Sequence, residues 1–282
     1  MVTVGKFEAA RQFIYRHGDL LTRRRFAYHF ENGRKEVVLD ALACYQNDDG
    51  GFGNGLELDM LCPASSGICT EVAFGYLVEL GVCEGTIFDR GVQWVVSTHT
   101  ANGDLPHPPK EAVKQYPHGA WWETDDGRVL SLAGLLGKMG KCPPEVSRRA
   151  SAVFEETYLP FPEALKVYMY PVALYLRYGD LEGRHSHHLA ALDAALVDML
   201  KTEAWHHPLF FRYGRWNYDG ISAALWETEA KRVTATLQED GGVCIGRYAE
   251  LPWWRPVWTV DMFVALKRTG LLGDVSSHSG RS

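Results

Sequence analysis

An all-helical fold is predicted by three features of this sequence. Apolar residues recur at helical spacing in segment after segment, no set of alternating strands is visible, and a helix–turn–helix unit recurs along the chain. The first predicted helix covers 6–16. Val37, Val38, Ala41, Leu42 and Tyr45 make the next stripe. Cys69, Val72, Ala73, Tyr76, Leu77 and Leu80 follow i, i+3, i+4, i+7, i+8 and i+11, and Gly81 stops that helix. Phe88, Val92, Val95 and Val96 form another stripe. The segment 129–139 is apolar nearly all round (Leu130, Leu132, Ala133, Leu135, Leu136), which predicts a helix buried on every side, ended at Gly140. Further helices are predicted over 145–156, 163–178, 188–201, 222–237 and 257–269.

Composition narrows the class. The chain has 282 residues, 46% hydrophobic and 23% charged, which suits a globular protein with a large core. The net charge is −6 with both signs interspersed, so no basic stripe marks a nucleic-acid partner. The N-terminal residues carry no apolar signal-peptide core, and the richest apolar run, 164–176, is broken by Lys166 and Pro171. Those features predict a cytoplasmic protein without a transmembrane segment. Six cysteines form no C-x-x-C pair and read as buried free thiols. Nine Trp and thirteen Tyr exceed what a core of this size needs.

The internal repeat is loose. Residues 37–81 run from a helix through Gln46-Asn47-Asp48-Asp49-Gly50-Gly51-Phe52-Gly53 to a second helix ending at Gly81. Residues 229–270 run through Gln238-Glu239-Asp240-Gly241-Gly242-Val243 and a Trp-rich loop to a helix ending at Gly270. Residues 88–140 are a weaker copy. Stacked helix pairs follow from such a period, and the likeness of first and last units suggests a closed ring. The glycine pair supplies positive φ, a Gln amide can bond helix-end groups, and Phe52 covers the turn with apolar area.

Those turns resemble the Q-x-D-G-G-F and Q-x-x-x-G-x-W repeats of protein prenyltransferase β-subunits and squalene-type terpenoid cyclases. The flanks Pro63-Ala64-Ser65, Thr70-Glu71-Val72-Ala73 and the stretch from Trp253 to Asp261 are similar to the loop and inner helix of that repeat. The resemblance implies a single α/α toroid, a helical barrel of repeated helix–turn–helix units, over 1–272; the polar residues that follow predict a disordered tail over 273–282. It also implies an apolar, polyprenyl-type substrate, and a homodimer or a second helical subunit as the expected partner.

Glu123-Thr124-Asp125-Asp126 resembles the D-x-D-D acid motif of class II terpenoid cyclases, with Glu in its first position and Gly127-Arg128 before the following helix. Protonating an alkene or epoxide needs an acid shielded from water, and adjacent carboxyls in an apolar cavity cannot all ionise. The resemblance makes Asp125 the proton donor, with Glu123 and Asp126 tuning it. The alternative role for this run is a polar helix N-terminus favoured by the helix dipole. Trp121, Trp122, Tyr168, Tyr170, Trp254 and Trp258, with Trp216, Trp226 and Trp253, are cavity-wall candidates, because ring faces stabilise carbocations; core packing is the alternative. Of Asp48 and Asp49, one is expected to hold the turn and the other to face the cavity.

No metal site or cofactor is expected. Neither Asp pair completes D-D-x-x-D. Asp240 and Cys244 lack the tight D-x-C spacing of the prenyltransferase zinc site, and His185-x-His187-His188 and His206-His207 read as polar loops. Three functions fit: acid-initiated, metal-independent cyclisation or isomerisation; a non-catalytic toroid that binds an isoprenoid or a protein; and a carbohydrate-active helical barrel using paired carboxylates.

Overall fold

A computed structural model describes residues 2–123, 127–159, 169–201, 222–244 and 252–273. Among them are twelve α-helices and no β-strand. In chain order they are α1 (Val4–His17), α2 (Leu20–Phe30), α3 (Lys35–Ala43), α4 (Gly67–Leu80), α5 (Thr86–Ser97), α6 (Lys110–Val113), α7 (Val129–Lys138), α8 (Pro144–Tyr158), α9 (Met169–Leu174), α10 (Leu189–Lys201), α11 (Ala223–Thr234) and α12 (Trp254–Arg268). A π turn, Tyr175–Gly179, extends α9. The segments 160–168, 202–221 and 274–282 lie outside the described residues, and with them most of the tail assigned from sequence.

The chain divides into two compact units, Ala43–Leu196 and Met1–Leu42 with Val197–Ser282. Both boundaries fall within helices, α3 and α10, not within linkers of loop composition.

In the central unit α4 is buried at every position except Val78, and α7 is buried from Val129 to Leu136. A helix apolar on all faces must be covered on all faces, as the composition of α7 requires. α5 and α8 bury one face only: Phe88, Gly91, Trp94 and Val95 on the first, Val146, Ser147, Ala150, Val153 and Phe154 on the second. α4 starts at Ser66, whose hydroxyl accepts the Cys69 N–H at 3.2 Å, and ends on Gly81 with φ 65°. α7 packs on α4, on α9 and on the π turn. The approach is close: a Cβ on Gly137 would lie 1.9 Å from the Tyr178 carbonyl oxygen.

In the other unit α12 is buried from Pro256 to Leu266, while α1 and α11 each bury one face. Phe7 of α1 meets Phe26, Phe30 and Phe263 at centroid distances of 5.8, 5.5 and 5.2 Å. α2 escapes the periodicity argument because Arg23-Arg24-Arg25 interrupts its apolar face. Arg25 is nonetheless buried, 2.7 Å from the carboxylate of Asp261 on α12.

The two turns share one geometry, each within its own unit. Asn47 N–H donates to Gly51 O at 2.9 Å and Gly50 N–H to Asn47 O at 3.0 Å; Gln238 N–H donates to Gly242 O and Gly241 N–H to Gln238 O, both at 3.0 Å. Asp49 accepts from Gly51 N–H and Asp240 from Gly242 N–H, both at 2.9 Å. Phe52 N–H donates to the Thr70 hydroxyl at 3.2 Å, and Val243 N–H to the Thr259 hydroxyl at 2.9 Å. Gly50 and Gly241 have φ of 92° and 89°, a conformation costly for residues with a Cβ. This register places Asn47, not Gln46, opposite Gln238, one residue from the alignment that the two glutamines suggest in sequence. Gln46 instead donates to Gly50 O at 2.9 Å and Ile87 O at 3.0 Å.

Each turn also rests on a neighbouring helix. A Cβ on Gly50 would meet the Arg90 carbonyl of α5 at 2.5 Å, and one on Gly241 the Ala9 carbonyl of α1 at 2.4 Å. The following glycines, Gly51 and Gly242, lie against the rings of Trp94 and Phe13, four residues further along the same two helices.

Candidate functional site

The central unit carries a polar cluster in an otherwise apolar interior. α4 supplies Glu71, the first residues of α7 supply Ser131 and the preceding Arg128, and α9 supplies Tyr170. All four are buried. The Glu71 carboxylate accepts from Ser131 Oγ at 2.5 Å, from Tyr170 Oη at 3.0 Å and from Arg128 Nη1 at 3.4 Å. Arg128 Nη1 also donates to the Tyr170 hydroxyl. Its guanidinium carbon lies 5.7 Å from the Trp122 ring centroid and 6.0 Å from that of Tyr170, within cation–π range of both.

Trp122 is fixed from several directions. It lies in a 3-10 turn, Ala120–Glu123, that is brought to the loop before α4 by paired backbone: Leu61 N–H donates to Pro117 O at 3.1 Å and Gly119 N–H to Asp59 O at 2.7 Å. The indole Nε1 donates to Asp59 Oδ1 at 2.8 Å. His107 stacks on the ring with an interplanar angle of 16°, and its Nε2 contacts the Trp122 carbonyl at 2.7 Å. Asp59 is buried, as is Glu57 two residues before it.

Glu123 ends the 3-10 turn under a different regime. Lys110 Nζ, Lys114 Nζ and His118 Nε2 stand 3.2, 3.5 and 3.6 Å from its carboxylate. The hydrogen bond from Lys110, with the charge of Lys114, holds this carboxyl below the usual range. It is an ionised, ion-paired group, not a proton donor at neutral pH. Asp125 and Asp126, like Thr124, lie outside the described residues, as do Tyr168 and Trp216.

The start of α7 has a cap from elsewhere. Asp104 Oδ1 accepts the Val129 N–H at 2.9 Å and the Leu105 N–H at 2.8 Å. Gly127 leaves room for that carboxylate: a Cβ there would lie 1.7 Å from Asp104 Oδ2. The first N–H of α7 therefore takes its partner from a loop more than twenty residues upstream.

The remaining sequence candidates divide. Trp121 is 45% exposed, whereas Trp122 and Tyr170 converge on Arg128. Asp49 is the turn residue: its carboxylate accepts from Gly51 N–H, Ser65 Oγ and Trp94 Nε1. Asp48 is exposed, and its carbonyl accepts from Arg90 at 3.0 Å. Trp254 and Trp258 stack in the other unit at 5.7 Å, with Trp258 buried. Asp240 is tied to Arg255 through both oxygens, at 2.9 and 2.7 Å. His185 is buried against Ser151 and Glu155, at 3.0 and 3.1 Å. Among the described residues, no three His, Cys, Asp or Glu side chains are grouped as metal ligands. Six cysteines are free; Cys62 and Cys69 are buried as expected, while Cys44 is exposed. Burial pushes the Cys69 thiol up to about 12, so it stays neutral and a poor nucleophile. No described helix is long and apolar enough to cross a membrane.

Glu71, Arg128, Asp59 and Glu57 are absent from the sequence candidates. Their signal was a charge placed where the pattern demands an apolar residue: Glu71 inside a helix otherwise buried, Arg128 at the door of an apolar one. No protein-family model matches this chain, and neither a curated protein nor a solved structure matches it.

Proposed function

We propose that this protein is an α/α toroid of the terpenoid-cyclase and prenyltransferase-β type, acting on an apolar polyprenyl-type substrate. The reaction is acid-initiated, metal-independent cyclisation or isomerisation with Asp125 as proton donor. The carboxyl gives its proton to an alkene carbon, the cation closes or migrates, and a proton is lost from carbon, so the product is an isomer of the substrate.

Two sets of observations support the architecture. Helices buried all round alternate with helices buried on one face, as inner and outer members of helix pairs would. The last turn rests on α1 as the first rests on α5, so the N-terminal helix fills the place a following repeat would take, which a closed ring requires.

The observation that carries the assignment of the acid is the Asp104 cap. Asp and Glu ahead of a helix are ordinarily explained as caps. Here the Val129 N–H is taken by Asp104, and Glu123 is held as a carboxylate by Lys110, Lys114 and His118. The Asp104 carboxylate already supplies one cap that an acidic run ahead of α7 would otherwise be called on to provide.

One observation favours a second reading, isoprenoid binding without chemistry. Arg128 already lies over the rings of Trp122 and Tyr170, so a substrate cation would compete with the chain's own cation for those faces. Incubation with C15 to C35 prenyl substrates in the absence of added metal, analysed by mass spectrometry beside Asp125→Asn, separates the two. The catalytic reading expects an isomeric product lost at least ~100-fold in the variant, the usual worth of general acid catalysis. Saturable prenyl binding with no product in either protein supports the second reading, and neither binding nor product removes the isoprenoid substrate.

A further inference from the structure

The Glu71–Arg128 pair is an expensive thing to bury. Both side chains are removed from water, with exposures of 0% and 1%. Desolvating two ions costs several kcal/mol each, and apolar pairs of similar volume commonly serve stability as well or better. The pair therefore calls for an account other than holding α4 to α7, two helices that pack together and whose other buried residues are mostly apolar.

We infer that Glu71 and Arg128 are positioning residues that fix the ring faces of Trp122 and Tyr170. Three donors converge on Glu71, from Ser131, Tyr170 and Arg128. Those bonds set the carboxylate, and the carboxylate sets the guanidinium. The guanidinium meets both rings, at 5.7 and 6.0 Å. A planar cation presented to two aromatic faces restricts their tilt, which a compact ammonium or an aliphatic chain would not do. Asp59 fixes the far end of the Trp122 indole through Nε1 at 2.8 Å, and His107 covers the ring by stacking. This extends the proposed function, resting on it only in taking Trp122 and Tyr170 to face a ligand.

The test uses the full chain labelled with 5-fluorotryptophan, in which Trp122→Phe assigns the Trp122 resonance. Glu71→Leu combined with Arg128→Met removes both charges at similar volume. The expected result is cooperative melting at or above the wild-type temperature together with loss of the single Trp122 fluorine line, broadened or split as the indole samples several tilts. Arg128→Lys keeps a charge for Glu71 but not the plane, and is expected to fold while the Trp122 line broadens. An unchanged Trp122 line in the folded double variant overturns the proposal. So does a double variant that no longer folds, because the pair is then structural. No substrate enters this readout, so its failure is distinct from failure of the isoprenoid reading.

Discussion

Asp240 shows how one carboxylate ties a turn to a helix. It accepts the Gly242 N–H and both terminal nitrogens of Arg255, and those bonds, the Arg255 ones first, hold its carboxyl below the usual range. A depressed acid contributes stability that is present above the unfolded-state value, about 3.9, and is lost as pH falls through the folded one. Asp240→Asn is therefore expected to melt below the wild type at pH 7. The gap should close as the pH is lowered beneath the ordinary Asp range. Thermal melts of both proteins across pH 2 to 7 check this; a gap independent of pH would place the effect in the amide's geometry. Asp49, in the corresponding position, accepts from Gly51, Ser65 and Trp94 instead, so this carboxylate is held by neutral donors.

At the scale of elements, helix contacts are set by how closely backbones approach. The α7 surface that meets the π turn is cut down to Gly134 and Gly137, and Cβ atoms there would lie 2.4 Å from backbone of Leu174 and 1.9 Å from backbone of Tyr178. Gly137→Ala would raise intrinsic helix propensity by about 1 kcal/mol. Overpacking against backbone that cannot swing away costs about 1–3 kcal/mol or more. The clash is expected to win, lowering stability in denaturant melts despite the better helix former. The sequence made most of these elements legible, since α1, α4, α5, α7, α8 and α12 each carry a recurring apolar pattern, and all but α5 end at a nearby glycine or proline. It hid α2, where Arg25 occupies a core position and is paired with Asp261 of α12, 236 residues away.

The unit formed by 1–42 and 197–282 is built from segments far apart in the chain. Within it, α1 packs on α2 and α12, with Phe7, Phe13 and Ile14 buried. Each such side chain is worth about 1.5–3 kcal/mol, against a total margin of about 5–15 kcal/mol for a domain. Deleting residues 1–17 is expected to abolish cooperative folding of this unit, read by circular dichroism and by proteolysis within 223–273. Protection there equal to that of the full chain would show that α12 and its turn stand without α1.

The sequence by itself determined most of the helices, because burial of an amphipathic stripe depends on spacing within a single segment. It also determined that two Asp-Gly-Gly turns would repeat, because positive φ at Gly50 and Gly241 is a property of one residue. Only the tertiary structure decided the register of that repeat, where backbone bonds and the Thr70 and Thr259 hydroxyls outweigh the match of two glutamines. It alone also decided the polar cluster. Glu71, Arg128 and Tyr170 are separated by 57 and 42 residues along the chain, and their charges become affordable only when α4, α7 and α9 bring each donor to its acceptor.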